Sequence, residues 1–229
     1  MEKNPKDGRE QKKLVLVGNP NVGKSVVFNY FTGIYVDVSN FPGTTVEISS
    51  GTYKDYLVMD TPGIYGVSSF NDEEKVARDV ILEADVIVNV VDGVHLERDL
   101  FLTLQLADMG IPMVVAVNMM DEVERQKIEI DIKALEHRLG VPVIPIIAAQ
   151  KVGMEELAEK LESAKPGKKD KKIGQLISQF KKDNLQDAKI LLALEADIEI
   201  EGIADKREEI YFERRKQVDE LCKQIIKYK

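Results

Sequence analysis

Two hydrophobic patterns alternate along this chain. Short continuous apolar runs lie at 14–17, 86–91, 112–117 and 143–147, and each predicts a buried strand. Segments with apolar residues at helical spacing lie at 24–32, 72–82, 96–109, 128–139 and 153–161. The segments 46–53 and 55–60 predict an antiparallel hairpin, and 34–45, which has no clean period, predicts a long mobile loop. Because apolar strands separated by helices are typical of sheets covered on both faces, the pattern predicts an α/β fold with a mainly parallel six-stranded sheet flanked by helices.

The pattern changes after residue 165. Lysines dominate the segment 166–172, which predicts a solvated linker, and no strand pattern follows it. Apolar residues return at helical spacing around 173–180, 188–195 and 204–227, which predicts a small all-helical domain. We therefore predict a flexible N-terminus at 1–12, a first domain at 13–165, the linker at 166–172 and a helical domain at 173–229. A unit of about 55 residues is marginal on its own, so the helical domain is expected to dock on the first one.

Composition excludes several classes of function. The formal net charge of −8 argues against a nucleic-acid partner, which would need an excess of lysine and arginine. The single cysteine, Cys222, excludes an internal disulfide, and its helical apolar setting predicts a buried structural thiol. His95 and His137 are isolated, so no Cys/His metal site is predicted. The polar N-terminus has no signal-peptide pattern and no apolar run can span a bilayer, so we expect a soluble, cytoplasmic chain.

A glycine-rich loop joins the first predicted strand to the first predicted helix. It matches G-x-x-x-x-G-K-[ST] and consists of Gly18, Asn19, Pro20, Asn21, Val22, Gly23, Lys24 and Ser25. The glycines let successive backbone N–H groups face an anion, and the following helix adds the positive end of its dipole. Lys24 is expected to reach the β- and γ-phosphates of a nucleotide, and the Ser25 hydroxyl to bind Mg²⁺. The alternative is a glycine-rich turn with an incidental Lys-Ser pair.

A D-x-x-G sequence follows the second strand of the predicted hairpin. It consists of Asp60, Thr61, Pro62 and Gly63, at the carboxyl end of a strand, where ligands bind in open α/β sheets. We expect Asp60 to hold Mg²⁺ through water and the Gly63 N–H to sense the γ-phosphate.

The predicted mobile loop supplies a threonine to the same site. Gly43, Thr44 and Thr45 come directly before the strand predicted from Val46. We expect Thr45, because it adjoins the strand, to close on Mg²⁺ and the γ-phosphate, and Thr44 to serve as a turn residue.

The segment after the strand at 112–117 predicts which base is bound. Asn118, Met119 and Asp121 resemble the guanine-reading N-K-x-D motif, with methionine in the lysine position. A carboxylate at Asp121 accepts two hydrogen bonds from guanine, whereas adenine would leave it unpaired. Asn118 and Asp121 as simple helix-cap residues are the alternative. After the last predicted strand, Ala148, Ala149 and Gln150 occupy the place of the S-A-K loop, whose backbone contacts guanine O6.

One residue of a typical GTPase is absent. Ras-like enzymes place a glutamine after D-x-x-G to orient the attacking water. That position is Ile64 here, which cannot do so, and intrinsic hydrolysis is therefore expected to be slow or to need another source of charge.

Together these motifs resemble the G domain of the ferrous-iron transporter FeoB family. The discriminating points are Asn-x-x-Gly-x-Thr-Val-Glu at 40–47 and the methionine at 119, and the tail segment 192–197 is similar to the family's K-L-L-E-G-D, with Ala196 in place of glycine. Departures are Val26 and Val27, where small or hydroxylated residues are common, and Ala148, where serine is expected. The nucleotide contacts that the resemblance implies include Val26.

The resemblance implies a P-loop GTPase with GTP/GDP and Mg²⁺, followed by a helical domain that favours GDP binding. It implies the cytoplasmic N-terminal part of a bacterial or archaeal membrane protein that takes up ferrous iron. Partners would be the membrane-embedded remainder of the polypeptide, a small cytoplasmic accessory protein and further copies of the chain. In translation- and transport-related GTPases with P-N-x-G-K, the matching asparagine coordinates K⁺ beside the phosphates, so Asn21 is the candidate K⁺ ligand. An ordinary loop hydrogen bond is the alternative for Asn21.

Two other functions share these motifs. A soluble Era- or Der-type ribosome-assembly GTPase has the P-N-x-G-K and P-G-x-T features but usually carries a basic RNA-binding domain, whereas this tail has mixed charge. A nucleotide-gated binding module with negligible turnover is the other. Transmembrane helices encoded after Lys229 would support the transporter interpretation.

Overall fold

The computed structural model describes residues 11–33, 36–67, 71–181 and 185–228. Within these ranges the strands are β1 (Lys12–Val17), β2 (Asp37–Asn40), β3 (Glu47–Tyr53), β4 (Tyr56–Asp60), β5 (Val86–Asp92), β6 (Pro112–Asn118), β7 (Ile128–Ile130), β8 (Val143–Pro145), β9 (Lys165–Pro166) and β10 (Ile226–Tyr228). The helices are α1 (Lys24–Thr32), α2 (Asp72–Leu82), α3 (Leu96–Met109), α4 (Met120–Arg125), α5 (Ile132–Leu139), α6 (Met154–Lys160), α7 (Lys171–Gln179), α8 (Asp187–Leu194) and α9 (Arg207–Ile225).

The main sheet has the strand order β2-β3-β4-β1-β5-β6-β8, with β9 paired to β6. The pairs β1–β4, β1–β5, β5–β6 and β6–β8 are parallel, while β2–β3, β3–β4 and β6–β9 are antiparallel. The parallel strands all end at one edge, so the loops that follow β1, β4, β5, β6 and β8 meet there. The predicted motifs lie on the loops after β1, β4, β6 and β8, except the 43–45 segment, which lies before β3. Because β3 runs antiparallel to β4, this segment is at the same edge.

Both faces of the sheet are covered, as the continuous apolar runs predict. In β1, Val15 and Val17 pack into one hydrophobic cluster, and Leu14 and Leu16 pack into another on the opposite face. Alternate side chains of a strand point to opposite faces, so a strand buried on both sides must be apolar throughout. The predicted α/β class is confirmed.

The sheet has more strands than the six predicted. Residues 37–40, inside the predicted mobile loop, form edge strand β2 against β3, although all four side chains are exposed. Ile34 and Tyr35 of that loop lie outside the described residues. The helix predicted at 128–139 is divided: Ile128–Ile130 forms β7, paired with β10, and α5 begins after Asp131, whose side chain accepts from Ala134 N at 2.9 Å. Helix α4 was missed because six residues are too few for a clear period.

The lysine-rich segment after residue 165 is bound to the first unit through its backbone. Lys165 and Pro166 form β9, Lys168 N donates to Leu139 O at 2.7 Å, and a Cβ on Gly167 would stand 2.7 Å from Ala107 Cβ. The prediction of a solvated linker is therefore wrong, because the backbone of this segment is paired with the first unit. A run of lysines indicates that the side chains are solvated, but it does not indicate whether the backbone is hydrogen-bonded.

The helices after this segment share the core of the first unit. Leu191, Ile210, Val218 and Leu221 lie in the same hydrophobic cluster as the sheet face that α3 covers. Residues 1–10 of the predicted N-terminal segment lie outside the described residues, and the division into domains stays a prediction. Among the described residues, none of the helices combines the length and apolar composition that crossing a membrane requires.

Candidate functional site

The loop between β1 and α1 is shaped by its two glycines. A Cβ on Gly18 would stand 2.3 Å from Val90 O, and a Cβ on Gly23 would stand 2.4 Å from Asn118 Nδ2. Gly23 also has φ +93°, in the left-handed region that favours glycine. The loop is thus pressed against the ends of β5 and β6, and only glycine fits at either position. Asn21, at the exposed crest, has φ 65°.

Lys24 opens α1 with its side chain folded back beneath the loop. It is buried, and its Nζ donates to Asn19 O at 3.4 Å. Burial lowers the pKa of Lys24 from its ordinary value, while the carboxylates of Asp60 and Asp99 act in the opposite direction. A buried ammonium group with one long hydrogen bond is suited to an anion placed in the loop.

Ser25 and Asp60 approach each other at the ends of α1 and β4. Ser25 Oγ donates to Asp60 Oδ2 at 3.0 Å, and Asp60 Oδ1 is buried with no hydrogen-bond partner. Burial raises the pKa of Asp60, and Lys24 and the Ser25 hydroxyl oppose the rise. An unsatisfied carboxylate oxygen beside a serine hydroxyl fits a hard divalent cation such as Mg²⁺, which prefers oxygen ligands.

The Asp60–Gly63 turn rests on the glycine-rich loop. Ile64 N donates to Gly18 O at 3.2 Å, and a Cβ on Gly63 would meet Pro20 Cα at 2.7 Å. Thr61 Oγ1 donates to Leu16 O at 2.8 Å, so this hydroxyl anchors the turn to β1. Ile64 is fully buried in the core. Its side chain therefore points away from the site, which agrees with its predicted inability to orient water.

The two threonines of the 43–45 segment differ in their surroundings. Thr44 Oγ1 donates to Phe41 O at 3.0 Å and accepts from Val46 N at 3.2 Å, so it closes a turn. Thr45 is exposed and lines an open cleft of about 870 Å³. Gly43, at φ +79°, precedes both. The cleft is also lined by Asp60, Thr61, Pro62, Gly63, Asn71 and Asp72.

Asn118 connects the glycine-rich loop to the segment after β8. Its Nδ2 donates to Val22 O at 2.9 Å, and its Oδ1 accepts from Ala148 N at 3.0 Å. It is buried, and both halves of its amide are satisfied. The structure therefore brings together the three loops that the sequence assigned to one site.

The remaining residues assigned to the base lie around Asn118. Met119 is half-buried with φ 62°, and Asp121 is half-buried in the first turn of α4. Ala149 and Gln150 are exposed in a short 3₁₀ turn after β8. Val26, in the first turn of α1, is 43% exposed. Met119 and Asp121 thus lie at the same edge of the sheet as Ala149 and Gln150, while Val26 directly follows Ser25, the last residue of the glycine-rich loop.

A buried polar cluster lies beneath the loop and was missed from the sequence. Asn19 Nδ2 donates to Asp99 Oδ1 at 2.7 Å, and Thr103 Oγ1 donates to Asn89 Oδ1 at 2.7 Å. Asn89 in turn donates to Val17 O at 3.2 Å. The sequence does contain a signal for this cluster, namely polar residues at positions expected to be buried. Asn89 interrupts an apolar strand, and Asp99 and Thr103 lie four residues apart on the inward face of α3.

A second buried cluster joins this site to the helical segment. Val67 N donates to Gln105 Oε1 at 2.8 Å, and Gln105 Nε2 donates to Glu195 Oε2 at 2.5 Å. Arg214 donates to Glu195 Oε1 at 2.7 Å and to Asp108 Oδ2 at 3.3 Å. The chain just after the Asp60–Gly63 turn is therefore two side chains away from α9.

Comparison with known proteins agrees with these motifs. A family model described as ferrous iron transport protein B matches residues 12–161. The Fe(2+) transporter FeoB of Salmonella typhimurium is 44% identical over 158 residues, which cover 64% of this chain and 20% of that protein. An Fe(2+) transport protein A/Fe(2+) transporter FeoB fusion protein of Porphyromonas gingivalis is 40% identical over 163 residues, covering 68% and 19%. The chain thus spans about a fifth of the length of these relatives.

Solved structures share the fold over most of the chain. A GDP-bound variant of the S. thermophilus FeoB G-domain has a TM-score of 0.82 at 29% identity, covering 94% of this chain and 100% of that one. The cytosolic domain of L. pneumophila FeoB has a TM-score of 0.79 at 31% identity, with the same coverage.

Proposed function

We propose a function from the premise that the family match establishes: this chain belongs to the ferrous iron transport protein B family, and it comprises that family's N-terminal G domain. It has the fold of a P-loop GTPase. We infer that it binds and hydrolyses GTP and so regulates ferrous iron uptake by a larger membrane protein. The observation that carries the proposal is the position of Asn118. Its side chain hydrogen-bonds to Val22 in the glycine-rich loop at 18–25, the proposed phosphate loop, and to Ala148 in the segment 148–150, the proposed base loop.

Guanine nucleotide is the proposed ligand. GDP is bound in the related S. thermophilus structure. The phosphates would lie in the loop at 18–25, with the backbone N–H groups and Lys24 as donors. The base would lie between Met119 and the loop at 148–150, with Asp121 accepting from its ring N–H and its amino group.

Mg²⁺ is the proposed metal, held by Ser25, Asp60 and Thr45. The supporting observation is the unpaired, buried Asp60 Oδ1 beside the Ser25 hydroxyl. Bound there, the ion would neutralise charge on the phosphates. In the described structure Thr45 is exposed at the rim of the cleft, so its ligation would require the 43–45 segment to close. Such closure is how Thr45 and Gly63 would report which nucleotide is bound.

Hydrolysis is proposed to be slow and potassium-stimulated. Water would attack the γ-phosphate, and Lys24 and the loop amides would stabilise the developing charge. No side chain at position 64 orients the water, because Ile64 is fully buried. Asn21 projects from the exposed loop crest, where its amide oxygen would hold K⁺ close to the phosphates.

The chain spans about a fifth of the length of its curated relatives, so iron would pass through a part of the protein outside this chain. We infer that the chain acts on the cytoplasmic side of the membrane, joined to the membrane-embedded remainder of its polypeptide. The Porphyromonas gingivalis relative is named as a fusion with an Fe(2+) transport protein A, which supports an accessory partner of that kind. Oligomerisation is a further expectation.

Base specificity provides the test. Calorimetry on the 229-residue chain should show GTP binding at least about 10³-fold tighter than ATP binding, since adenine leaves Asp121 unpaired. The matched variant Asp121→Asn replaces one acceptor with a donor, so affinity for GTP should fall about 10- to 100-fold and affinity for xanthosine triphosphate should rise. Phosphate release from GTP in potassium buffer then tests turnover. Equal affinity for ATP and GTP would refute the guanine assignment, and binding without phosphate release would favour a nucleotide-gated binding module.

A further inference from the structure

We propose that Asp99 is a positioning residue for the nucleotide site: through Asn19, its carboxylate fixes the orientation of the phosphate loop. Asp99 lies in the first turn of α3, outside the phosphate, metal and base motifs. The inference deepens the proposed function and rests on it, because the loop that Asp99 holds is the proposed phosphate cradle.

The Asp99 carboxylate receives donors from three different elements. Oδ1 accepts from Asn19 Nδ2 at 2.7 Å and from Arg98 Nε at 2.7 Å, while Oδ2 accepts from Asp92 N at 2.8 Å. Asp99 and Asn19 are each 1% exposed. The phosphate loop, the end of β5 and the start of α3 therefore meet at one carboxylate.

The side-chain amide of Asn19 is oriented by its hydrogen bond to Asp99. Its Nδ2 is bound to Asp99, and its Oδ1 is buried with no hydrogen-bond partner. A carboxylate only accepts, so the Asn19 amide makes this hydrogen bond only with its Nδ2 turned towards Asp99. The bond is short and involves a charged acceptor, which places it among the stronger hydrogen bonds of proteins.

The backbone of Asn19 is where the loop meets the reacting groups. Asn19 O accepts from Lys24 Nζ at 3.4 Å. The next residue, Pro20, is the surface on which Gly63 rests, and Asn21 follows at the crest. A rotation of Asn19 would therefore displace Lys24, the Gly63 contact and Asn21 together. By holding Asn19, Asp99 sets the position of all three.

Several charged groups surround the Asp99 carboxylate. Burial raises the pKa of Asp99, and Arg98 and the Asp92 N–H oppose the rise. Asp92, whose charge adds to the rise, is itself bound to His95 Nδ1 at 2.7 Å, and Lys24 interacts electrostatically with Asp99.

Chemistry distinguishes substitutions that keep the link from those that break it. In Asp99→Asn, the new Oδ1 can accept from Asp92 N while the new Nδ2 donates to Asn19 Oδ1, the atom that now lacks a partner. Arg98 Nε then loses its acceptor, but this side chain is 41% exposed and can turn to water. A flip of the Asn19 amide is enough, so the link is retained with its direction reversed. Asp99→Leu removes the link and also strands the Asp92 N–H. Asn19→Ala removes only the link and leaves the bonds to Asp92 and Arg98.

The test measures dissociation of a fluorescent GDP analogue, kcat and KM for GTP, and thermal unfolding, all on the full 229-residue chain. We expect Asn19→Ala to speed GDP dissociation and to lower kcat/KM about tenfold or more, and Asp99→Asn to stay within about threefold of the wild type. Asp99→Leu should match Asn19→Ala in dissociation rate. Combined with Asn19→Ala, it should add no further change in that rate, although it lowers Tm further.

The outcomes separate positioning from structure. The role of Asp99 would be overturned if the increases in the GDP dissociation rate multiplied in the double variant. It would also be overturned if Asn19→Ala released GDP at the wild-type rate, or if Asp99→Asn raised that rate as much as Asp99→Leu. If Asp99→Leu does not fold, Asn19→Ala and Asp99→Asn decide, because both keep an acceptor for Asp92 N. If the wild type binds GDP without hydrolysing GTP, the hydrolytic function fails while the dissociation rates still judge Asp99. If the wild type binds no guanine nucleotide, the proposed function and this inference both fail.

Discussion

Gly63 lies so close to Pro20 that a Cβ atom on it would stand 2.7 Å from Pro20 Cα and 2.8 Å from Pro20 N. Both atoms belong to the backbone of the phosphate loop, so neither can move aside cheaply. Ile64 N reinforces the contact by donating to Gly18 O at 3.2 Å. The glycine-rich loop and the Asp60–Gly63 turn, which we propose to face the phosphates, are thus in direct contact, so displacing one displaces the other.

We expect Gly63→Ala to lower the rate of GTP hydrolysis about tenfold or more, since its methyl group forces the turn off the loop and misplaces the Gly63 N–H. Affinity for GDP should change much less, because the γ-phosphate contact is absent from GDP. Single-turnover phosphate release and GDP titration measure the two effects. Gly66→Ala is the matched control: its Cβ would stand 3.4 Å from Gln105 Oε1, an ordinary contact with a side-chain end. Equal effects of the two variants would contradict the prediction.

The potassium role of Asn21 can be separated from backbone strain. Asn21 has φ 65°, which alanine adopts less readily than asparagine or glycine. We therefore expect both Asn21→Ala and Asn21→Gly to abolish the excess of the phosphate-release rate in KCl over that in NaCl. Only Asn21→Ala should also lose stability in thermal unfolding.

A potassium-to-sodium ratio that survives in Asn21→Gly would show that the side chain does not act on the cation. A ratio of one in the wild type would remove potassium stimulation from the proposed function.

The sequence was informative wherever a motif is short and its backbone demands are strict. Gly18 and Gly23 predicted a sharply turned loop, where no other residue fits, and Thr44 forms the turn that was predicted for it. Thr45 as a ligand of Mg²⁺ stays a prediction. Strands β2 and β9 were missed because four exposed residues and two residues carry no periodic signal.

Hydrogen bonds between side chains that are distant in the sequence were much harder to predict. Asp99 and Asn19 are 80 positions apart, and nothing in their separate surroundings predicts that they meet. Glu195 and Gln105 are 90 positions apart, and their hydrogen bond is equally unpredictable from the sequence around each residue. A buried polar residue can be noticed in an apolar pattern, but its partner depends on how helices pack, which local spacing does not specify.

The Arg214–Glu195 pair predicts a large stability effect. Both side chains are nearly fully buried, and Arg214 also contacts Asp108. We expect Glu195→Leu to destabilise the chain by about 3–5 kcal/mol in urea unfolding, because it leaves a buried guanidinium poorly compensated. Adding Arg214→Met should recover only part of that loss, because it removes the poorly compensated guanidinium but leaves the buried Asp108 carboxylate with the Asp170 N–H as its remaining donor.

Lys216→Ala supplies a control for charge removal on the same helix. Its ion pair with Glu220 spans 3.9 Å between exposed side chains, so unfolding should be nearly unchanged. If Arg214→Met recovers no stability in the Glu195→Leu background, the loss arises from packing at position 195 and from the Gln105 amide that loses its acceptor, and not from an unpaired guanidinium.

Cys222 is predicted to be chemically inert in the folded chain. It is buried on α9, as its apolar helical setting predicted, and burial raises its pKa to about 11, with Glu97 and Asp219 adding to the rise. Because the thiolate is the reactive form, only about one thiol in a thousand would be ionised at pH 8. Labelling by a thiol reagent at that pH should therefore be at least about 100-fold slower than for a free cysteine and should quicken as pH rises towards 11. The guanidinium-unfolded chain should label at the free-cysteine rate, which confirms that the reagent and thiol are competent. Rapid labelling of the native chain would mean that α9 separates from α3 on the labelling timescale, and the shared core of the two units would then be only transiently closed.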